Sequence, residues 1–255
     1  MDRVPAVVGP ALARLRELEP SAIAVLVGGS YARGTADELS DLDLTAIVEH
    51  GGDRYYTWFQ ERAEKRPLHI SARVRTATGF LARREIPAGI WLGLPAIEPA
   101  CYAWATDDAR AVLGDDPSIR RPARPPELED FFESSMKVKR AAAAGDGFGL
   151  RVWALSAAEL APRLLLPLNP AVLVSSRREA AEAALSLPVA PEHYSEDLGV
   201  CLGLTPAEDD ALAHAALRLG QELLAFLRTH KPDIDPLPDL VECLVSGALE
   251  RQLAS

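Results

Sequence analysis

Apolar residues near the start of the chain follow two different periods. Residues 7–19 carry apolar side chains at helical spacing and predict a helix. The apolar run at residues 22–27 ends at a Gly-Gly pair, which predicts a buried strand followed by a tight turn. Alternation with a period of two predicts two further strands, at residues 41–48 and 68–74.

The rest of the pattern divides the chain into two domains. Residues 54–65 are predicted to be helical, which makes the first domain α/β, with a small mixed sheet and flanking helices. A proline-rich stretch at residues 120–126 separates a predicted domain at residues 1–120 from a second at residues 127–255. The second domain is predicted to be an all-α helical bundle, with helices at 127–144, 147–166, 175–187, 206–228 and 237–252.

Length indicates the number of domains, and charge limits the kinds of partner that we expect. The chain has 255 residues, more than the roughly 100–150 residues of a usual single domain, in agreement with a division into two. Its formal net charge is -10, whereas proteins that bind long nucleic acids are usually basic, so we expect no such partner. We find no signal peptide and no apolar run near the roughly 20 residues of a transmembrane helix, and we therefore expect a cytoplasmic protein without membrane contact.

Two short motifs carry candidate chemistry. Asp41 and Asp43 stand two positions apart on a predicted strand, so their side chains share one face and can hold one or two Mg²⁺ ions. Upstream, a strand ends in Gly28-Gly29-Ser30 and leads into a short predicted helix. Glycine lets the backbone approach a phosphate, the serine adds a hydroxyl group, and a helix N-terminus favours anions. Together the motifs predict a phosphate-binding turn facing a metal site, as nucleotidyl transfer requires.

The segment GGSYARGTADELSDLDL, residues 28–44, resembles the signature of the DNA polymerase beta-like nucleotidyltransferase superfamily. With a helical domain after it, the chain is similar to the antibiotic nucleotidyltransferases that modify aminoglycosides or lincosamides. The resemblance implies ATP as co-substrate, Mg²⁺ as cofactor, and transfer of AMP or another NMP to a hydroxyl group of a small acceptor. It also implies that Asp41 and Asp43 bind the metal and are catalytic, and that the nucleotide is contacted by Gly29, Ser30, Arg33 and Ser40.

The third carboxylate of this family is not evident in the sequence. Family members normally carry it on a following strand, near the first two. The strand predicted at residues 68–74 presents His69, Ser71 and Arg73 on the corresponding face. A neutral His69 can act as a base or a metal ligand, whereas Arg73 would repel a cation. Glutamates near this strand can reach in or remain solvated charges; they are Glu61, Glu64 and Glu85.

A base from the helical domain is the other solution, as in some antibiotic-modifying members. Glu159 lies in a strongly apolar predicted helix, and a carboxylate among apolar neighbours binds a proton more readily, as a general base must. Glu159 is therefore predicted to be catalytic. The competing interpretation places it on the solvent-exposed stripe of the same helix. Glu129 and Glu133 are weaker candidates for the same role.

Two functions follow from these features. The first is a Mg²⁺-dependent nucleotidyltransferase that uses a nucleoside triphosphate and a small hydroxylated acceptor; the acidic chain suits a cationic acceptor such as an aminoglycoside, and hence a role in antibiotic resistance. The second is a catalytically impaired member that binds a nucleotide or a protein partner. A homodimer is also possible, because the C-terminal segment 237–253 is apolar. The sequence specifies neither the acceptor nor the nucleobase.

Overall fold

The computed structural model of the protein describes residues 7–61, 67–87 and 92–230. None of the helices in these ranges is both long enough and apolar enough to span a bilayer.

The described residues form two compact units. The first contains the chain up to Ile86 together with residues 96–122, and the second contains residues from 87–95 together with the chain from Ala123 onwards. Hydrogen bonds explain why the short segment before Ala96 joins the second unit. Gly93 accepts from the backbone N–H of Arg124 at 2.8 Å, and Pro95 accepts from that of Val174 at 3.1 Å.

The first unit is built on a five-stranded mixed sheet. Its strands lie in the order β3-β4-β2-β1-β6, and within this sheet β2 and β4 are the parallel pair. A second, two-stranded antiparallel sheet pairs β5 with β7. The elements of this unit are α1 (Val8–Leu18), β1 (Ala22–Val27), α2 (Gly29–Arg33), β2 (Leu42–Val48), β3 (Arg54–Glu61), β4 (Pro67–Thr76), α3 (Ala77–Leu81), a 3-10 helix (Ala82–Glu85), β5 (Ala96–Glu98), β6 (Cys101–Ala105), α4 (Asp107–Leu113) and β7 (Ile119–Arg121).

Alternation along β2 and β4 separates the two faces of the sheet. The even-numbered residues, Leu42 to Val48 and Leu68 to Val74, are buried in one core with Val8, Ala11 and Leu15 of α1. The odd-numbered positions face the other way, so the face of β2 that carries Asp43 is opposite the α1 core. The predicted α1, β1, β2 and β4 are confirmed.

The predicted helix at residues 54–65 is wrong where the structure describes it, because residues 54–61 form β3. This strand pairs along its whole length with β4, from Arg54 opposite Val74 to Glu61 opposite Pro67. It is an edge strand, and two of its aromatic side chains point to solvent: Tyr55 is 57% exposed and Phe59 is 69% exposed. Exposed aromatic residues hide the period of two, although aromatic enrichment is itself typical of strands.

The second unit is helical. Its elements are α5 (Leu128–Ala144), α6 (Gly147–Leu165), a 3-10 helix (Leu166–Leu168), α7 (Arg177–Leu185), α8 (Tyr194–Cys201) and α9 (Asp209–His230). They share one apolar core. The predicted fold class, a mixed sheet with helices followed by a helical domain, is confirmed. The predicted helix at 206–228 begins only at Asp209, and the one at 237–252 lies outside the described residues.

A buried carboxylate joins the end of α1 to β3. Glu19 accepts hydrogen bonds from Arg54 Nε at 2.7 Å and Nη2 at 2.5 Å, and from the Tyr56 hydroxyl at 2.7 Å. The hydrogen bonds from Arg54 lower the pKa of Glu19 below its ordinary value of 4.5, against the opposing effect of burial, and Tyr56 lowers it further. The ionised carboxylate therefore stabilises the fold.

We expect Glu19→Gln to lower the free energy of unfolding at neutral pH. Because the folded-state pKa is depressed, the stabilising contribution is complete above the unfolded-state pKa and is lost as pH falls through the folded-state pKa. Urea unfolding at pH 7 and pH 3 should therefore show a larger difference between wild type and variant at pH 7 than at pH 3. Glu182→Gln, which breaks an exposed ion pair on α7, is the control and should have little effect at either pH. An equal loss at both pH values for Glu19→Gln would contradict this assignment.

Candidate active site

The turn after β1 brings its backbone against a carboxylate. Gly29 has φ of +61°, a conformation that side chains other than glycine rarely adopt. A Cβ atom at this position would lie 2.7 Å from Asp43 Oδ2. The neighbouring Gly28 N–H donates to the backbone carbonyl of Asp43 at 2.9 Å. Glycine is therefore required at position 29 both by the backbone angle and by the space that the carboxylate occupies.

The two predicted metal ligands lie beside this turn. Asp41 and Asp43 are exposed, while Leu42 between them is fully buried. Asp43 is opposite Ser71 in the parallel pairing of β2 and β4, and the Ser71 hydroxyl donates to Asp43 Oδ1 at 2.6 Å. The turn and the neighbouring strand thus orient one carboxylate from two sides.

His69 lies next to Asp41. Its Nδ1 is 4.0 Å from Asp41 Oδ2, and its Nε2 is 2.7 Å from the Thr57 hydroxyl oxygen. The ring of Phe59 on β3 is 5.3 Å from the imidazole, centroid to centroid. The edge strand β3 therefore helps to fix the imidazole at the position that the sequence assigns to a base or a metal ligand.

On this face of β4, the residues nearest the two aspartates are His69, Ser71 and Arg73, as the sequence predicts. Within the described ranges, no group of three or more His, Cys, Asp or Glu side chains is arranged to hold a metal ion. Two carboxylates together with phosphate oxygens and water are nevertheless a donor set that suits Mg²⁺. Of the other glutamates considered, Glu61 ends the edge strand β3, Glu85 ends the 3-10 helix, and Glu64 lies outside the described residues.

The remaining predicted nucleotide contacts lie on α2 and the loop after it. Ser30 and Arg33 are partly exposed on a helix of only five residues, so the helix dipole that the sequence suggested is small. Ser40 closes its own loop: its hydroxyl donates to Asp37 Oδ1 at 2.9 Å and accepts from the Asp37 N–H at 2.9 Å. Contacts of these three residues with a nucleotide stay predictions.

The second unit contains a charged cleft between α5 and α6. Its volume is about 250 Å³. Four carboxylates and three cationic side chains contribute to its walls: Glu127, Asp130, Glu133 and Glu159, with Arg124, Lys137 and Arg163. Ser134, Trp153, Ser156 and Leu160 complete the lining. A cleft with this lining can select a ligand by its charge.

Ion pairs within the cleft engage two of its four carboxylates and two of its three cationic side chains, Arg124 being the third. Arg163 pairs with Glu127 at 2.7 Å, and Lys137 pairs with Glu133 at 2.6 Å while lying 4.0 Å from the Trp153 ring centroid. Among the residues that the structure describes, Asp130 and Glu159 have no ion-pair partner. The cleft therefore offers two exposed carboxylates to a cationic ligand.

Glu159 does not have the apolar surroundings that the sequence suggested. Its side chain is exposed on α6 and lines the charged cleft, whereas its buried neighbours Ala157 and Ala158 belong to the helical core. Glu133 lines the same cleft from α5, whereas Glu129 is exposed on α5. The catalytic role of Glu159 stays a prediction, with a different physical basis.

Two family models match successive parts of the chain. Residues 11–87 match the family model described as "Nucleotidyltransferase domain", and residues 127–228 match the one described as "Nucleotidyltransferase, substrate binding domain". The chain belongs to the nucleotidyltransferase superfamily. The combination is that of aminoglycoside nucleotidyltransferase-like proteins, so the resemblance read from residues 28–44 is confirmed.

The solved structures that match include the crystal structure of a nucleotidyltransferase-like protein from Exiguobacterium sibiricum. That protein is 11% identical to this chain, with a TM-score of 0.41. The match covers 88% of this chain and 74% of that one. A comparison with curated proteins gives no match.

Several residues of the candidate site could not be predicted from the sequence motif. Ser71 and Thr57 act through the register of β2, β3 and β4, which joins residues far apart in sequence. Asp130 joins Glu159 only because α5 and α6 pack together. The parallel register of β2 and β4 is the signal that identifies Ser71, because it places this residue opposite Asp43.

The contact between Gly29 and Asp43 can be tested with a matched pair of variants. Gly29→Ala and Gly34→Ala both place alanine at positive φ, and each should lose about 1–2 kcal/mol of unfolding free energy. Only at position 29 does the new Cβ meet the Asp43 carboxylate; nothing lies within 4 Å of a Cβ at position 34. We therefore expect Mg²⁺-dependent nucleotide affinity, measured by calorimetry, to fall in Gly29→Ala well below that of Gly34→Ala. Equal affinities would show that the contact does not matter for the site.

Proposed function

We propose that this protein transfers a nucleoside monophosphate from a nucleoside triphosphate, ATP in the first instance, to a hydroxyl group of a small cationic acceptor. The observation that carries the proposal is the pair of exposed carboxylates, Asp41 and Asp43, beside a turn where Gly29 leaves no room for a side chain. The acidic cleft of the second unit supports the choice of acceptor.

In this proposal the first unit holds the triphosphate and the metal ion. Asp41 and Asp43 would hold Mg²⁺, with Ser71 fixing one carboxylate by its 2.6 Å hydrogen bond. The cation supplies Lewis-acid stabilisation of the charge on the phosphates when it is bound. Gly29 and Ser30 bring backbone N–H groups and a hydroxyl group to the phosphates. His69, held by Thr57, lies where it can accept a proton or complete the metal ligands.

The second unit would hold the acceptor. Asp130 and Glu159 are exposed in the cleft and have no ion-pair partner among the described residues, so they can bind ammonium groups. In this proposal Glu159 takes the proton of a hydroxyl group held in the cleft, which it lines. The acceptor oxygen then forms a bond to the α-phosphorus, the bond from that phosphorus to the bridging oxygen breaks, and pyrophosphate leaves.

The second candidate function is a nucleotide-binding protein without transferase activity. The observation in its favour is that the residues of β4 nearest the two aspartates are His69, Ser71 and Arg73. None of these side chains is a carboxylate. In this case the turn and the aspartates bind a nucleotide, and no acceptor is modified.

We expect Asp43→Asn to abolish Mg²⁺-dependent binding of a non-hydrolysable ATP analogue in isothermal titration calorimetry. Its fold should remain, because the asparagine oxygen can still accept from Ser71. Asp108→Asn, in the first turn of α4, is the control and should bind as wild type does. If wild type binds the analogue but modifies no acceptor, the result favours the nucleotide-binding protein. If Asp43→Asn binds the analogue with wild-type affinity, this carboxylate is not a metal ligand.

Steady-state kinetics, with aminoglycosides as the first acceptors, can distinguish the role of Glu159 from that of its neighbours. A general base contributes roughly 10²–10⁴-fold to turnover, so Glu159→Gln should lower kcat by that factor. Glu133 is already paired with Lys137, and Glu133→Gln should raise the acceptor KM modestly while leaving kcat near its wild-type value. An unchanged kcat in Glu159→Gln would assign the base to another residue, with His69→Gln as the next variant.

A further inference from the structure

Four arginine side chains gather on the face of the sheet that carries Asp43. Arg73 and Arg75 continue the odd-numbered positions of β4 after His69 and Ser71, while their even-numbered neighbours point into the α1 core. Arg83 of the 3-10 helix and Arg121 of β7 join them through Glu98 of β5. We call Arg73, Arg75, Arg83 and Arg121 the arginine cluster.

The arginine cluster is only partly neutralised. Glu98 accepts from both Arg83 and Arg121, the latter at 2.8 Å, and Asp53 pairs with Arg75 at 2.8 Å. In the ion pairs that the described residues form, three of these guanidinium groups share two carboxylates, so positive groups outnumber negative ones in a chain whose formal net charge is -10. Arg73 is exposed and, in the described part of the chain, has no ion-pair partner.

The positive charges repel one another in the absence of an anion. Burial lowers the pKa of Arg83, and Glu98 acts in the opposite direction. Three neighbouring guanidinium groups lower it as well, those of Arg75, Arg121 and Arg73. In addition, the Nε of Arg75 is buried without a hydrogen-bond partner in the described structure. A bound anion would relieve the repulsion and supply acceptors.

The arginine cluster adjoins the candidate active site on two sides. Ser71, which donates to Asp43, precedes Arg73 by two positions on the same face of β4, a rise of about 7 Å along a strand. Glu98 is followed by Pro99, whose carbonyl oxygen lies 3.9 Å from the position of a Cβ atom on Gly28. The excess positive charge is therefore next to the phosphate turn and the two aspartates.

We propose that the arginine cluster binds the polyphosphate chain of the nucleotide and holds pyrophosphate as it leaves. Guanidinium groups bind phosphate oxygens through paired, charge-assisted hydrogen bonds, so they can neutralise the charge of a polyphosphate that extends from the two aspartates. The inference rests on the proposed function, since it names the group that carries the leaving pyrophosphate. It assigns one cation to Asp41 and Asp43 and the remaining charge neutralisation to arginine.

The test is calorimetric binding of inorganic pyrophosphate to the full chain without metal or nucleotide. Arg73→Gln should weaken binding by on the order of tenfold, since hydrogen bonds to charged groups are among the strong ones, and Arg73→Lys should lose less. Arg83→Gln should also weaken binding; because this side chain is partly buried, circular dichroism must show an intact fold. Arg178→Gln, an exposed arginine on α7 paired with Glu182, is the control and should bind as wild type does.

Two further measurements separate this inference from the proposed function. Asp43→Asn, which should lose Mg²⁺-dependent nucleotide binding, should bind metal-free pyrophosphate at least as tightly as wild type does, because the variant removes a neighbouring negative charge. Pyrophosphate should also compete with the nucleotide for wild type. No binding of pyrophosphate by wild type, or equal affinities in wild type and Arg73→Gln, would overturn the arginine site. Simultaneous binding of pyrophosphate and nucleotide would overturn its assignment to the leaving group, and would indicate a separate site for a phosphorylated ligand.

Discussion

The close approach of the Gly29 backbone to the Asp43 carboxylate is the constraint on which the candidate site depends. It exists because β1 and β2 pair antiparallel, which brings the end of one strand to the beginning of the other. The parallel partner β4 then places Ser71 against the same carboxylate. A shift of either register by one residue would turn Asp43 into the α1 core and remove both contacts. The site is therefore a direct consequence of strand pairing in the first unit.

Charge is distributed unevenly along the same face of the sheet. Asp41 and Asp43 make the beginning of β2 negative. The arginine cluster makes a positive region that begins at Arg73, two residues after Ser71 on the neighbouring strand β4. A polyphosphate with a bound cation has the complementary distribution, because its oxygens need positive partners while the cation needs carboxylates. Burial and repulsion among the guanidinium groups lower the pKa of Arg83, so on our proposal the phosphates of such a ligand would bind favourably at the arginine end of the site.

Part of this structure could be predicted from patterns in short stretches of the sequence. The fold class and the family follow from the alternation of β2 and β4 and from a gapless motif of 17 residues, GGSYARGTADELSDLDL. Strand β3 was missed because its exposed Tyr55 and Phe59 follow no single-faced pattern, and exposure at an edge strand depends on which neighbour is absent. The arginine cluster was beyond local reasoning for a related cause. Arg73 and Arg121 are 48 positions apart and meet only through Glu98 and Arg83.

The two units differ in how charge can select a ligand. In the first, the glycine turn and the aspartates are proposed to bind phosphates and their cation, which every nucleoside triphosphate brings, so these residues would give little means to choose a base. In the second, two ion pairs engage four of the seven charged side chains that line the cleft, and Asp130, Glu159 and Arg124 lie outside these pairs. The two carboxylates are the basis for the cationic acceptor that we propose. In the proposed function, a carboxylate in such a cleft needs no apolar pocket to act on a cationic acceptor, because the acceptor's own ammonium groups would hold the reacting hydroxyl group nearby. On this proposal, substrate choice would depend on the balance of ion pairs between α5 and α6 more than on the motif that identifies the family.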